Sequence, residues 1–280
     1  MRIDLHTHST ASDGTDTPTR VVEQAVAAGL DVVALTDHDT TDGWDEAAEA
    51  ALVHGIGLVR GSEVTASAAG ISVHLLSYLQ DPTSAPLADA MRATRTSRVT
   101  RARTMVDLLA EDYDLTWEDV VAQTAVGATV GRPHIADALV AKGIVRDRSA
   151  AFTAMLLPSS RYYVRHRAPT ALEVIDLVLA AGGVPVLAHP GAEQRGRVLG
   201  DAAIEELADA GLVGLEVHHR DNPPDQVERL VGLAARLGLL VTGSSDFHGA
   251  GKPNALAENL TDPGVLARVE ERGAVAVVRG

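Results

Sequence analysis

The feature that most restricts the fold is an order of segments: short apolar runs alternate with amphipathic stretches, and the runs end on histidine or carboxylate. The runs are Ile3–Leu5, Val32–Leu35, Leu58–Arg60, Ser72–Leu76, Val184–Leu187, Leu215–Val217 and Leu240–Thr242. Helical periods follow at Thr19–Ala28, Trp44–Val53, Ala171–Ala181, Ala202–Ala210 and Pro224–Leu237, where apolar residues recur at helical spacing. Strands separated by helices predict an α/β fold with a parallel sheet or a barrel. About seven strands is one fewer than the usual closed barrel carries.

One stretch breaks the rhythm. Residues 82–167 hold helical segments at Leu87–Glu111, Trp117–Gln123, Pro133–Ala141 and Ala150–Leu156, with no convincing strand. They predict a helical insertion after the fourth strand, which would leave 1–81 and 168–280 as the barrel. Insertions on a barrel's functional face commonly shape substrate access.

The strand ends carry the chemistry. His6-Thr7-His8 closes the first run, and a period of two turns both imidazoles to one side. Asp13 follows in a Ser-Asp-Gly turn, Asp37-His38-Asp39 closes the second run, and Glu63 follows the third. His74 lies on the fourth, His189 closes the fifth, and Asp246-Phe247-His248 follows the last. In a parallel barrel all C-terminal strand ends meet at one mouth, so six histidines and three carboxylates would converge there. Singly, each histidine reads as an ordinary hydrogen-bonded residue. Together they would repel one another and pay heavy desolvation costs unless a metal were present.

Composition narrows the metal and the partners. There is no cysteine, which excludes thiolate sites, disulfides and cysteine nucleophiles. Nitrogen and carboxylate donors without sulfur suit Mn, Zn or Fe. Nine donors are generous for two ions, and three divalent ions against the carboxylates of Asp13, Glu63 and Asp246 leave a positive site. Such a site matches a phosphate dianion plus a hydroxide and favours phosphoester hydrolysis. A net charge of −14 argues against stable binding of long nucleic acid. No apolar run reaches membrane-span length, and the charged start is no signal peptide. A cytoplasmic enzyme is the expectation.

These motifs, His6-Thr7-His8-Ser9 through Ser12-Asp13-Gly14, Thr36-Asp37-His38-Asp39, Gly61-Ser62-Glu63, His74, His189-Pro190-Gly191 and Ser245-Asp246-Phe247-His248, resemble the PHP (polymerase and histidinol phosphatase) superfamily. The insertion with Gly131-Arg132-Pro133-His134 is similar to the branch of 3′,5′-nucleoside bisphosphate phosphatases and 5′-to-3′ exoribonucleases. The resemblance implies a distorted seven-stranded (β/α)7 barrel with an inserted helical cap and a trinuclear metal centre. One ion would take His6, His8, Glu63 and Asp246, a second Asp13, His38 and His248, and a third Glu63, His74 and His189. It implies Asp13, Glu63, His189, Asp246 and His248 as the catalytic set, with a metal-bridging hydroxide as nucleophile.

For the substrate, Arg132 and His134 flank Pro133 at a helix start, where a guanidinium and a helix N-terminus suit phosphate. One of His218 and His219 should face the mouth, and His218 is taken as the substrate residue. Asp37 and Asp39 are expected to orient His38. Arg92, Arg95, Arg98, Arg101 and Arg103 form a basic stripe, read as a solvated face, with a phosphate guide as the alternative. Gly249–Pro253 lacks the spacer and the hydroxyl residue of a phosphate loop. His54 and His166 have no motif around them.

The expected substrate is a nucleotide phosphomonoester, a 3′,5′-bisphosphate nucleoside first. Histidinol phosphate, another small phosphoester or short RNA are the alternatives within the superfamily. An amidohydrolase or deaminase is the remote rival. Dinuclear members of that class often use a carboxylated lysine at a strand end, and neither Lys142 nor Lys252 lies on a strand.

Overall fold

The computed structural model describes residues 1–124, 130–157, 159–164 and 168–280; His166 lies outside them. The chain forms two compact units, residues 1–91 with 169–280, and residues 92–168.

The first unit is the barrel. Its strands are β1 (Ile3–Asp4), β2 (Val32–Leu35), β3 (Gly57–Ala68), β4 (Ile71–Tyr78), β5 (Val184–Leu187), β6 (Gly214–His218) and β7 (Leu240–Gly243), hydrogen-bonded in chain order in one sheet. A parallel bridge from Thr7 to Phe247 and a bond from the His8 N–H to the Phe247 carbonyl (2.8 Å) bring β1 back to β7. Around the sheet lie α1 (Pro18–Ala27), α2 (Trp44–His54), the start of α3 (Ala85–Ala110) and, later in the chain, three crossover helices and a closing one. This seven-stranded, nearly closed α/β barrel is the architecture expected from the order of elements.

Alternation sorts the strand residues. On β2, Val32 and Ala34 join an interior cluster with Ile3, Val59, Leu76, Val186 and Leu240, while Val33 and Leu35 pack outward against α1 and α2. All four are buried, as a parallel strand covered on both faces requires. Each such Val or Leu contributes on the order of 1.5–3 kcal/mol by leaving water. Thr17 caps α1 by accepting the Arg20 N–H, with Pro18 in its first turn. Gly55 ends α2 in the left-handed region at φ 67°, which costs glycine nothing.

Two expectations need correcting. β3 does not stop at Arg60 but runs through Glu63 to Ala68, and β4 is antiparallel to both β3 and β5. A two-residue hairpin turn, Ala69 at φ 48° and Gly70 at φ 72°, makes the reversal. Alanine is an uncommon residue there, so the turn carried no strong sequence signal. Because β4 runs backwards, His74 sits near its start, paired with Thr65, two residues along from Glu63. The reversal delivers it to the same end of the barrel.

The second unit is helical, with the rest of α3, α4 (Trp117–Val121), α5 (Arg132–Ala141), α6 (Arg148–Ala151) and a wide helical turn at Phe152–Leu156. Its core joins Met105, Leu109, Val120, Ile135, Leu139, Leu156 and Tyr162. The chain then returns to the barrel through α7 (Ala171–Ala180), α8 (Asp201–Asp209), α9 (Pro224–Leu237) and α10 (Pro263–Glu270).

Candidate metal centre

The centre is built around Glu63, buried and carried by the middle of β3. Its Oε2 lies 3.3 Å from His6 Nε2, 3.2 Å from His8 Nε2 and 3.1 Å from His38 Nδ1. Its Oε1 lies 2.7 Å from His74 Nδ1 and 3.0 Å from His189 Nε2. Five imidazoles thus share one carboxylate. Burial raises the Glu63 pKa, but His38, His74 and His6 outweigh it and hold the carboxyl well below its usual range.

Among the described residues, three groups of donor atoms are close enough to hold cations: His6, His8, Glu63 and Asp246; His8, Asp13, His38 and His248; and His38, Glu63 and His74. His189 joins through Glu63. All nine residues singled out at the strand ends therefore meet at one end of the barrel.

Local structure fixes each donor. Asp37 accepts the Ser9 N–H (2.8 Å), the Ser9 hydroxyl (2.7 Å) and the Ser12 hydroxyl (2.6 Å). It therefore folds the loop that presents Asp13, where the sequence suggested it would orient His38. Asp39, at φ 53°, accepts the Thr65 N–H and hydroxyl, both at 2.8 Å, and ties the end of β2 to β3. Gly14 passes so close to the His8 carbonyl that a Cβ would stand 2.6 Å from its oxygen. Asp4 accepts the Ser245 N–H (3.0 Å) and the Ala257 N–H (3.1 Å), and burial raises its pKa to about 6.

The donor set fits metal ions because it holds buried ring nitrogens that no hydrogen bond fills. His248 donates its Nδ1–H to the Asp246 carbonyl at 2.8 Å, so the neutral ring carries a lone pair on Nε2. That buried Nε2 has no hydrogen bond, although Asp13 Oδ1 is 3.2 Å away. A lone pair facing a carboxylate is repulsive until a cation sits between them. His38 Nδ1 is likewise buried without a hydrogen bond. Burial, the largest influence on His6 and His8, lowers their pKa, yet the carboxylates win. Glu216, Glu63 and Asp246 raise His6 well above 6.5, and Asp246 and Glu63 raise His8 to about 9. The cluster demands positive charge at its centre. Burial and then Arg195 push His189 down to about 3, which keeps it a neutral donor.

Several residues escaped the sequence reading. Glu216, fully buried on β6, has its Oε1 2.9 Å from His6 Nδ1, and its Oε2 accepts the His189 N–H at 2.8 Å. Its signal was a lone acid inside an apolar run. Arg195 Nη2 and Lys252 Nζ donate to Asp246 Oδ2 at 2.7 and 3.0 Å. Lys252 stood in the stretch set aside as no phosphate loop. Of the histidine pair it is His219 that is buried in the cluster, its ring 5.4 Å from His189, while His218 is exposed. Glu216 faces inward, and strict alternation would bring His218 inward again. An irregularity in register between Glu216 and His218 shifts the phase.

Arg132 and His134 belong to the helical unit. The Arg132 guanidinium stacks over Phe152 and Tyr163, at 5.6 and 5.7 Å, and donates to the Leu156 carbonyl. His134 Nδ1 accepts the Gly131 N–H at 3.0 Å. From the basic stripe, Arg101 lies over Tyr163 and Arg103 over Trp117. These two are packed on rings that the linear sequence keeps far away.

The PHP domain family model matches residues 4–117. A 3′,5′-nucleoside bisphosphate phosphatase of Chromobacterium violaceum is 36% identical over 89% of this chain and 88% of its own. A 5′-3′ exoribonuclease of Haemophilus influenzae is 34% identical over 88% and 90%. A solved structure from Bifidobacterium adolescentis, described as a metal-dependent phosphoesterase, superposes with a TM-score of 0.92 at 48% identity, covering 98% of this chain and 96% of that one.

Proposed function

Because the chain belongs to the PHP-domain family of metal-dependent phosphoesterases, we propose that it hydrolyses nucleotide phosphomonoesters, with 3′,5′-bisphosphate nucleosides preferred. The observation that carries the reading is the set of overlapping donor groups around Glu63.

Three ions are proposed, Mn, Zn or Fe. His6, His8, Glu63 and Asp246 would hold the first, Asp13, His38 and His248 the second, and Glu63, His74 and His189 the third. Divalent ions held by these residues would acidify a water toward neutral pH and offset negative charge on the phosphoryl group. The side chains do the rest. Glu63 keeps five imidazoles turned to one point, Glu216 fixes the His6 ring by its Nδ1, and Asp246 presents Oδ1 to His6 and His8 at 3.5 and 3.3 Å. Burial of these groups keeps water from competing for the donors.

The substrate preference rests on the relatives, which are named for nucleotide and RNA substrates, and on the cations of the helical unit. Arg132 is proposed to select a second phosphate. In a phosphate-release assay with Mn, kcat/KM is expected to be highest for a bisphosphate nucleotide, lower for the matching 5′-monophosphate and lowest for histidinol phosphate. Arg132→Ala should raise KM for the bisphosphate, removing roughly 1.5–3 kcal/mol, and spare the monophosphate. A preference for histidinol phosphate would end the nucleotide reading, and faster release from short RNA would move it to the exonuclease. Near three ions per chain in the purified protein supports the phosphatase, whereas one would favour a deaminase.

A further inference from the structure

His219 follows β6 and is 3% exposed. Its Nδ1 accepts the Asp221 N–H at 3.0 Å. A ring nitrogen that accepts has no proton, so the neutral imidazole carries its hydrogen on Nε2. This Nε2–H is buried and makes no hydrogen bond. Its nearest charged atom, Asp246 Oδ2, is 3.5 Å away and already accepts from Arg195 and Lys252. Two lone pairs on that oxygen are filled by two shorter bonds, and the third donor is left over.

The surroundings hold His219 in this pose. Arg195 binds Asp221 Oδ2 through Nε at 2.8 Å and Asp246 Oδ2 through Nη2, so Asp221, whose N–H fixes the imidazole, is anchored to the same carboxylate. Asn222 donates to the Glu216 and Val217 carbonyls and accepts the Gly191 N–H, pinning the loop to β6 and to the turn after β5. Leaving a buried donor unpaired costs about 1–3 kcal/mol. A donor locked in place by the Asp221 N–H and set beside both Asp246 and His189 is matched to an oxygen that arrives with a ligand.

We propose that His219 Nε2–H is a substrate-binding donor that donates a hydrogen bond to an oxygen of the phosphoryl group, with Asp221 and Arg195 as its positioning residues. This rests on the phosphoesterase reading above and adds a contact to it. The ligand class is a tetrahedral oxyanion, and inorganic phosphate is the probe.

The test uses the full chain loaded with zinc, which is diamagnetic. His219→Phe keeps a ring and removes the donor, and His219→Gln restores an N–H. Phosphate affinity by calorimetry should fall about 10- to 100-fold in His219→Phe, recover in large part in His219→Gln, and leave zinc content unchanged in both. In the wild type, the ¹⁵N resonance of His219 Nε2 should move on phosphate addition, which decides the matter should His219→Phe fail to fold. Phosphate affinity within twofold of wild type, a silent Nε2 resonance, or loss of zinc from both variants would each overturn the proposal. A wild type that binds phosphate through His219 but hydrolyses no phosphomonoester would refute the function and leave this contact standing.

Discussion

The two units bury charge in opposite ways. In the barrel, cations and anions are buried against each other: Glu63 among five imidazoles, Asp246 between His6 and His8 on one oxygen and Arg195 and Lys252 on the other. In the helical unit, arginines are laid on aromatic rings, Arg101 and Arg132 on Tyr163 and Arg103 on Trp117. The first arrangement leaves buried ring nitrogens of His38, His219 and His248 without a hydrogen bond. The second rests its guanidinium groups on rings, and there Arg101 Nη2 is buried without a hydrogen bond. Imidazoles ringed by carboxylates call for a cation, whereas an arginine stacked on a ring keeps its N–H groups to offer an anion.

The comparison can be broken at the barrel first. Asp246→Ala and His8→Ala should each lower turnover by orders of magnitude while circular dichroism and gel filtration stay native, because apolar strand faces such as Ile3, Val59 and Leu76 hold the core. Near-normal turnover after metal removal and readdition would show that these donors are not needed. Glu216→Gln should have the next largest effect, weakening Mn affinity about 10- to 100-fold, since it would lose the charge that orients His6. Titration of the metal-stripped protein measures this, and an unchanged affinity would mean that the β1 backbone positions the ring unaided. The smallest effect is expected at Arg103, packed on Trp117 in the helical unit. Arg103→Ala should cost about 0.5–1 kcal/mol of stability for its contact with Trp117, read by urea denaturation, with metal content untouched. A loss of bound metal there would erase the contrast between the units.

Much of the barrel was legible because it is local. The alternation of β2, the Thr17-Pro18 start of α1 and the Gly55 stop of α2 act within a few residues of one another. The antiparallel β4 was not, because a turn of Ala69 and Gly70 lacks the asparagine or aspartate that usually announces a hairpin. Asp37 was assigned to its chain neighbour His38 when its partners, Ser9 and Ser12, come from the loop after β1. The rings under Arg101 and Arg103 were invisible for the same reason.

By itself, the sequence singled out the residues that the barrel gathers at one end. His6, His8, Asp13, His38, Glu63, His74, His189, Asp246 and His248 each follow or lie on a short apolar strand, and strands in one barrel share an end. Only the tertiary structure decided what surrounds them. Glu216 reaches His6 across 210 residues, Arg195 and Lys252 meet on one oxygen of Asp246, and an irregularity in β6 exchanges His218 for His219. Those contacts are set by barrel closure and by strand phase, which depend on pairing between distant segments and leave no periodic mark along the chain.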